Sequence, residues 1–223
     1  MKNFEMLFNS FEPAPIINAI DYNKYAKINL SVSNTELTEN KLEAAEEFEA
    51  YVEDFLESNN AKVAYGGYLE ERKLYKRSSI FNDSNSSERN MHIGLDLWIK
   101  AGSVINAPIE GTVHSFKNNI GLGDYGPTII LEHQIENLQF YTLYGHLSLE
   151  SIADLKVGKL FKKGEPLATL GNKDVNGNYA PHLHFQIINT IENYWGDYPG
   201  VCSKQDLDFY MENCPNPNLI LNI

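Results

Sequence analysis

The feature that most constrains this chain is a train of short apolar segments between residues 93 and 188, each bounded by turn residues. They are Ile93–Trp98, Ser103–Ala107, Gly111–Phe116, Thr128–His133, Gln139–Tyr144, Glu165–Leu170 and His182–Ile188. Asn106-Ala107-Pro108, Gly121–Pro127, Gly158, Gly164 and Asn176-Gly177-Asn178 stand between them. Gly, Asn and Pro supply the backbone angles that reversals need, and no long helical pattern interrupts the series. The spacing predicts a mainly β fold, an antiparallel sheet or sandwich. The 15 Gly, 13 Tyr and 11 Phe, more than a helical bundle would use, agree with it.

Upstream the period changes. Leu42, Ala45, Phe48, Val52, Phe55 and Leu56 recur at helical spacing, which predicts a helix from about Thr35 to Ser58. Asn34 or Thr35 would cap it, with Thr38, Glu39 and Lys41 as a polar first turn. The glutamates between the apolar positions read as a solvated face. Residues 1–34, with Pro13 and Pro15, read as an irregular arm. The expected organisation is an arm and acidic amphipathic helix over 1–62, followed by a β domain with a C-terminal extension over 63–223.

Charge narrows the function. Eighteen Lys and Arg against 30 Asp and Glu leave a net charge of -12. Phosphate backbones and anionic lipid surfaces both require clustered cations, so no nucleic acid and no membrane surface is expected as a partner. The start, Met1–Ser10, lacks an apolar signal core, so the expected location is cytoplasmic, or periplasmic or extracellular if a leader preceded it. Cys202 and Cys214 read as reduced structural thiols. Oligomeric state is left open.

Chemistry concentrates in the histidines. On a strand, His92, Gly94 and Asp96 share one face while Ile93, Leu95 and Leu97 share the other. By the same alternation His182 and His184 point one way, Leu183 and Phe185 the other, and Tyr144 and His146 share a face around Gly145. With the three strands side by side, one sheet face would collect four imidazoles and a carboxylate. A catalytic zinc takes three protein ligands and an open position, which leaves groups over for acid–base work. His133 reads as a strand-end ring held by hydrogen bonds, and His114 as packing or surface. Gly121–Pro127 lacks the Lys and the helix of a phosphate loop and reads as a turn. Arg72, Arg77 and Arg89 precede the first motif. They are candidates for a substrate carboxylate, against the commoner alternative of solvated loop arginines. Trp98 and Trp195 read as core or rim.

The ordered set His92-x-Gly-x-Asp96, Tyr144-Gly-His146 and His182-x-His184 resembles the signature of the M23 family of zinc metallopeptidases, the lysostaphin and LytM-type endopeptidases of bacterial cell walls. Ala101–Val113, Val157-Gly158, Lys163-Gly164-Glu165 and Leu170-Gly171 resemble the strands around it, and the likeness spans roughly Asn90 to Asn189. A wider stretch, from Gly66 to Cys202, is similar to M23 domains of bacterial proteins that also carry kinase-like and aminotransferase-like domains. The resemblance implies a LytM-like β fold, Zn²⁺ held by His92, Asp96 and His184, and His146 and His182 as catalytic histidines. Tyr144 and Arg72 are then candidate contacts to a peptide substrate. The implied reaction is hydrolysis of peptidoglycan-type peptides by a metal-activated water. A zinc hydrolase acting on a soluble peptide or small amide, and a catalytically silent binding module, are the alternatives.

Overall fold

The computed structural model describes residues 12–38, 41, 44–77 and 87–223. Met1–Ser10, Leu42, the Glu39 of the expected first helical turn and most of the Ser78–Asn90 loop lie outside the described residues. The elements are β1 (Tyr25–Lys27), α1 (Ala45–Ser58), β2 (Val63–Gly66), β3 (Glu70–Glu71), β4 (Arg89–His92), β5 (Leu95–Trp98), β6 (Val104–Asn106), β7 (Gly111–Asn119), β8 (Gly126–Ile135), β9 (Leu138–Gly145), α2 (Glu150–Ala153), β10 (Leu160–Phe161), β11 (Pro166–Thr169), β12 (His182–Ile188), β13 (Val201–Ser203), α3 (Leu207–Asn213) and α4 (Asn218–Leu221). The fold is mainly β, as the turn spacing requires.

Eight strands form the main sheet in the order β1-β2-β5-β12-β9-β8-β7-β10. Every pairing in it is antiparallel except β1 with β2. Alternation along β12 explains its two faces. Leu183, Phe185 and Ile187 are fully buried in the largest apolar cluster, with Leu95 and Leu97 of β5 and Phe140 and Tyr144 of β9. His182, His184 and Gln186 face the opposite side. Ile16 and Ile17 of the arm join that same cluster, and the arm continues into β1, so the N-terminal part is built into the sheet's core.

The expected helical start at Thr35 is not seen: residues 35–38 form a turn and irregular chain, Lys41 is helical, and α1 runs over Ala45–Ser58. Asn34 spends its side chain on a turn, accepting the Glu36 N–H at 2.9 Å and donating to the Asn29 carbonyl at 2.7 Å. Local side-chain bonds of this kind compete with helix formation. From Ala45 onward the apolar stripe does what its spacing demands, and Phe48 and Val52 pack against Trp98 and Tyr179. Among the described residues no helix is long and apolar enough to cross a membrane.

Candidate metal and catalytic site

The central pairing of the sheet builds the site. β12 lies between β5 and β9, which sets His184 opposite Asp96 on one side and Gly145 on the other. His92 arrives differently from the simple strand expected. It ends β4, which belongs to a separate three-stranded sheet, and the chain bends through Ile93-Gly94 before β5 begins. His92 and Asp96 nevertheless face the same space. Gly94 is required there because a Cβ on it would lie 2.4 Å from the His184 ring.

Three donor atoms converge. His92 Nε2 is 3.0 Å from His184 Nδ1, and each faces Asp96 Oδ1, at 3.3 and 3.1 Å. The outer atoms settle where the ring protons are. His92 Nδ1 lies 2.8 Å from the Gly67 carbonyl, and His184 Nε2 lies 2.9 Å from Gln186 Oε1. Each outer nitrogen therefore donates, and each inner nitrogen turns a bare lone pair toward the carboxylate. Two lone pairs and an anionic oxygen meeting in a buried space, with no proton between them, need a cation. The donor set is that of a zinc site with an open position, so the residues fit the metal.

Burial pushes His92 down to about 4, with Asp96 pulling the other way, so the ring is neutral and able to ligate at neutral pH. Burial by itself would raise Asp96, but the Arg72 guanidinium paired to its Oδ2 holds its carboxyl well below the usual carboxylate range.

His146 and His182 flank this cluster with ring centroids 4.1 Å apart. His182 Nε2 is 4.0 Å from Asp96 Oδ1, and its Nδ1 donates to the Ala180 carbonyl at 2.8 Å. His146 Nδ1 donates to the Asn176 carbonyl at 2.9 Å. Both are thus oriented with Nε2 as an acceptor. Burial pushes His182 down to about 4 and His146 well below its ordinary value.

Two expected substrate contacts are corrected. Tyr144 does not share a face with His146. It is fully buried in the main core against Phe185, because His146 takes a left-handed φ of 65° and breaks the strand alternation just after Gly145. Arg72 is no solvated loop arginine and no open carboxylate clamp. It is 2% exposed and ion-paired to Asp96 and Glu70. Trp98 is buried, its ring stacked on His182 at 5.6 Å. Trp195 lies 56% exposed, beside His114.

Two neighbours had not been anticipated. Gln186 could have been inferred, since it follows His184 by two on the same strand face. It is held in turn by Pro199 O and by Cys214 Sγ at 3.2 Å, with both cysteines free and buried. Tyr125 comes from the Gly121–Pro127 turn. Its hydroxyl is 3.4 Å from His184 Nε2 and its carbonyl accepts the His146 N–H. Nothing in that turn's composition signalled it.

His133 supplies a control outside the cluster. It lies inside β8 with Nδ1 on the Glu110 carbonyl and Nε2 on Thr142 Oγ1, and burial pushes it down to about 4 from 6.5. The unfolded chain binds its proton first, so this ring's contribution to stability is complete above pH 6.5 and is lost as pH falls toward 4. The lost contribution is about 3 kcal/mol. Denaturant unfolding of His133→Gln beside the wild type should therefore show the gap between them narrowing by roughly 2 kcal/mol from pH 7 to pH 4.5, with the rest lost as pH falls through 4. A constant gap would refute it.

Residues 90–194 match the profile of Peptidase family M23. A protein of Haemophilus influenzae, named an uncharacterized metalloprotease, is 35% identical over 95 residues, which is 43% of this chain and 18% of that one. The chain thus spans less than a fifth of that relative's length. The catalytic domain of lysostaphin from Staphylococcus simulans is 25% identical, covering 54% of this chain and 80% of its own, with a TM-score of 0.37. A zinc-containing peptidase from Vibrio cholerae is 27% identical, covering 44% and 27%, with a TM-score of 0.34. The match runs over β5 to β12 and takes in all four histidines of the cluster, so it is residues 90–194 of this chain that are similar to Peptidase family M23.

Proposed function

We propose that this domain is a zinc-dependent endopeptidase that hydrolyses peptide bonds of peptidoglycan-type peptides. The observation that carries the reading is the meeting of His92 Nε2, His184 Nδ1 and Asp96 Oδ1 as three unprotonated donors. A zinc ion bound there supplies a Lewis acid that polarises a carbonyl and makes water a nucleophile near neutral pH. His146 and His182, each with its Nδ1 proton committed to a backbone carbonyl, offer Nε2 to the reacting groups. One takes the attacking water's proton. The other steadies the developing oxyanion or returns a proton to the leaving amine. Tyr125, beside both His146 and His184, is placed to touch a bound peptide.

A second reading keeps the chemistry and shortens the substrate. The cavity over the site is about 260 Å³, below the ~300–1,000 Å³ of ordinary ligand pockets. Phe48 of α1 helps to wall it. That favours a soluble peptide or small amide over a cross-linked polymer.

The test is incubation of the zinc-loaded protein with purified cell walls and with peptides of two to ten residues, with and without chelator. Chelator-sensitive clearing of walls is expected from the first reading. Cleavage of the shortest peptides alone, relieved toward longer ones by Phe48→Leu, is expected from the second. Bound zinc with no turnover on any substrate would overturn both and leave a silent binding module.

A further inference from the structure

Asp96 presents its two oxygens to different partners. Oδ1 faces the two histidine lone pairs, while Oδ2 lies 2.5 Å from Arg72 Nη1. Arg72 is itself enclosed. Its Nε is 2.6 Å from Glu70 Oε2, and its guanidinium lies over the Trp98 ring at 5.4 Å. Gly67 leaves room for it, since a Cβ there would lie 2.0 Å from Arg72 Nη2 and 2.8 Å from His92 Nδ1. Glu70 is anchored from the arm, accepting the Leu30 N–H on Oε1 at 3.0 Å.

A buried guanidinium next to a cation site is costly unless something offsets it. Asp96 and Glu70 together with Arg72 carry a net charge of -1, the same as Asp96 by itself. Glu70 thus cancels the repulsion that Arg72 would exert on a metal, and the contact to Oδ2 is kept. With Oδ2 occupied, the carboxylate is held to a one-oxygen presentation toward His92 and His184.

We propose that Arg72 is a positioning residue for the metal site, holding Asp96 through Oδ2, and that Glu70, pinned by the N-terminal arm, is its charge partner. This rests on the reading of His92, Asp96 and His184 as metal ligands. Outer contacts on metal ligands typically change metal affinity 10- to 100-fold.

The experiment measures zinc affinity by competition with a chromophoric chelator, and the visible spectrum of the Co²⁺-substituted protein, for the wild type, Arg72→Met, Arg72→Lys and Glu70→Gln. Arg72→Met should bind zinc about 10- to 100-fold more weakly with an altered Co²⁺ spectrum, and Arg72→Lys should recover part of both. Glu70→Gln, which leaves the guanidinium uncompensated, should also weaken zinc while Arg72 stays in place. Arg72→Lys and Glu70→Gln decide the matter should Arg72→Met fail to fold. Variants that lose thermal stability but keep wild-type affinity and spectrum would overturn the proposal and leave the metal reading standing. A wild type that takes up no stoichiometric metal would overturn both.

Discussion

His184→Ala should empty the metal site and abolish turnover while the sheet stays folded. His184 supplies one of three donors, and its ring fills the space that Gly94 leaves open. Structural zinc binding worth roughly 10–16 kcal/mol over four ligands is about 3 kcal/mol per ligand, so the affinity should fall by about 100-fold or more. The protein should survive because the other face of β12 carries the core, through Leu183, Phe185 and Ile187. Metal content after dialysis and circular dichroism would be read together. Stoichiometric zinc in a folded His184→Ala protein would remove His184 from the ligand set.

His182→Ala should give the opposite pairing, with full zinc content and kcat lowered about 10²- to 10⁴-fold, the usual contribution of a positioned acid or base. His182 Nε2 is 4.0 Å from Asp96 Oδ1, farther than either inner histidine nitrogen, and its other nitrogen is committed to Ala180 O. Its removal should therefore take away the proposed proton carrier and leave the three donors in place. KM should change far less than kcat, since the lost contact acts on the transition state. His146→Ala should behave alike, because its Nδ1 is bound in the same manner to Asn176 O. A His182→Ala enzyme with wild-type kcat would refute the assignment. One that loses zinc would make His182 a ligand.

Much of this site was legible because strand periodicity is strict. Once His182-x-His184 is a strand with Leu183 and Phe185 turned inward, both imidazoles must share the outer face. The same argument succeeds for Asp96 against Leu95 and Leu97. It fails at Tyr144, because one residue with a left-handed φ, His146, changes the side to which the chain points. Helical periodicity fails also at residues 35–38, where the Asn34 side chain bonds its own neighbourhood in a turn instead of capping a helix. Arg72 was out of reach for a different reason. An arginine in a polar stretch looks solvated until the fold sets two carboxylates and an indole around it.

Local order, then, determined which residues could carry chemistry: alternation sorts each strand into a core face and a reactive face, and turn residues mark where strands end. What only the tertiary structure decided is which faces meet. β12 pairs with β5 and β9 across long stretches of chain, and that register places Asp96 opposite His184. The outer partners Gly67, Gln186 and Arg72 fix which nitrogen is bare and which oxygen is free. Hydrogen bonds and ion pairs act over a few ångströms, so a site that depends on them exists only after distant segments are brought together.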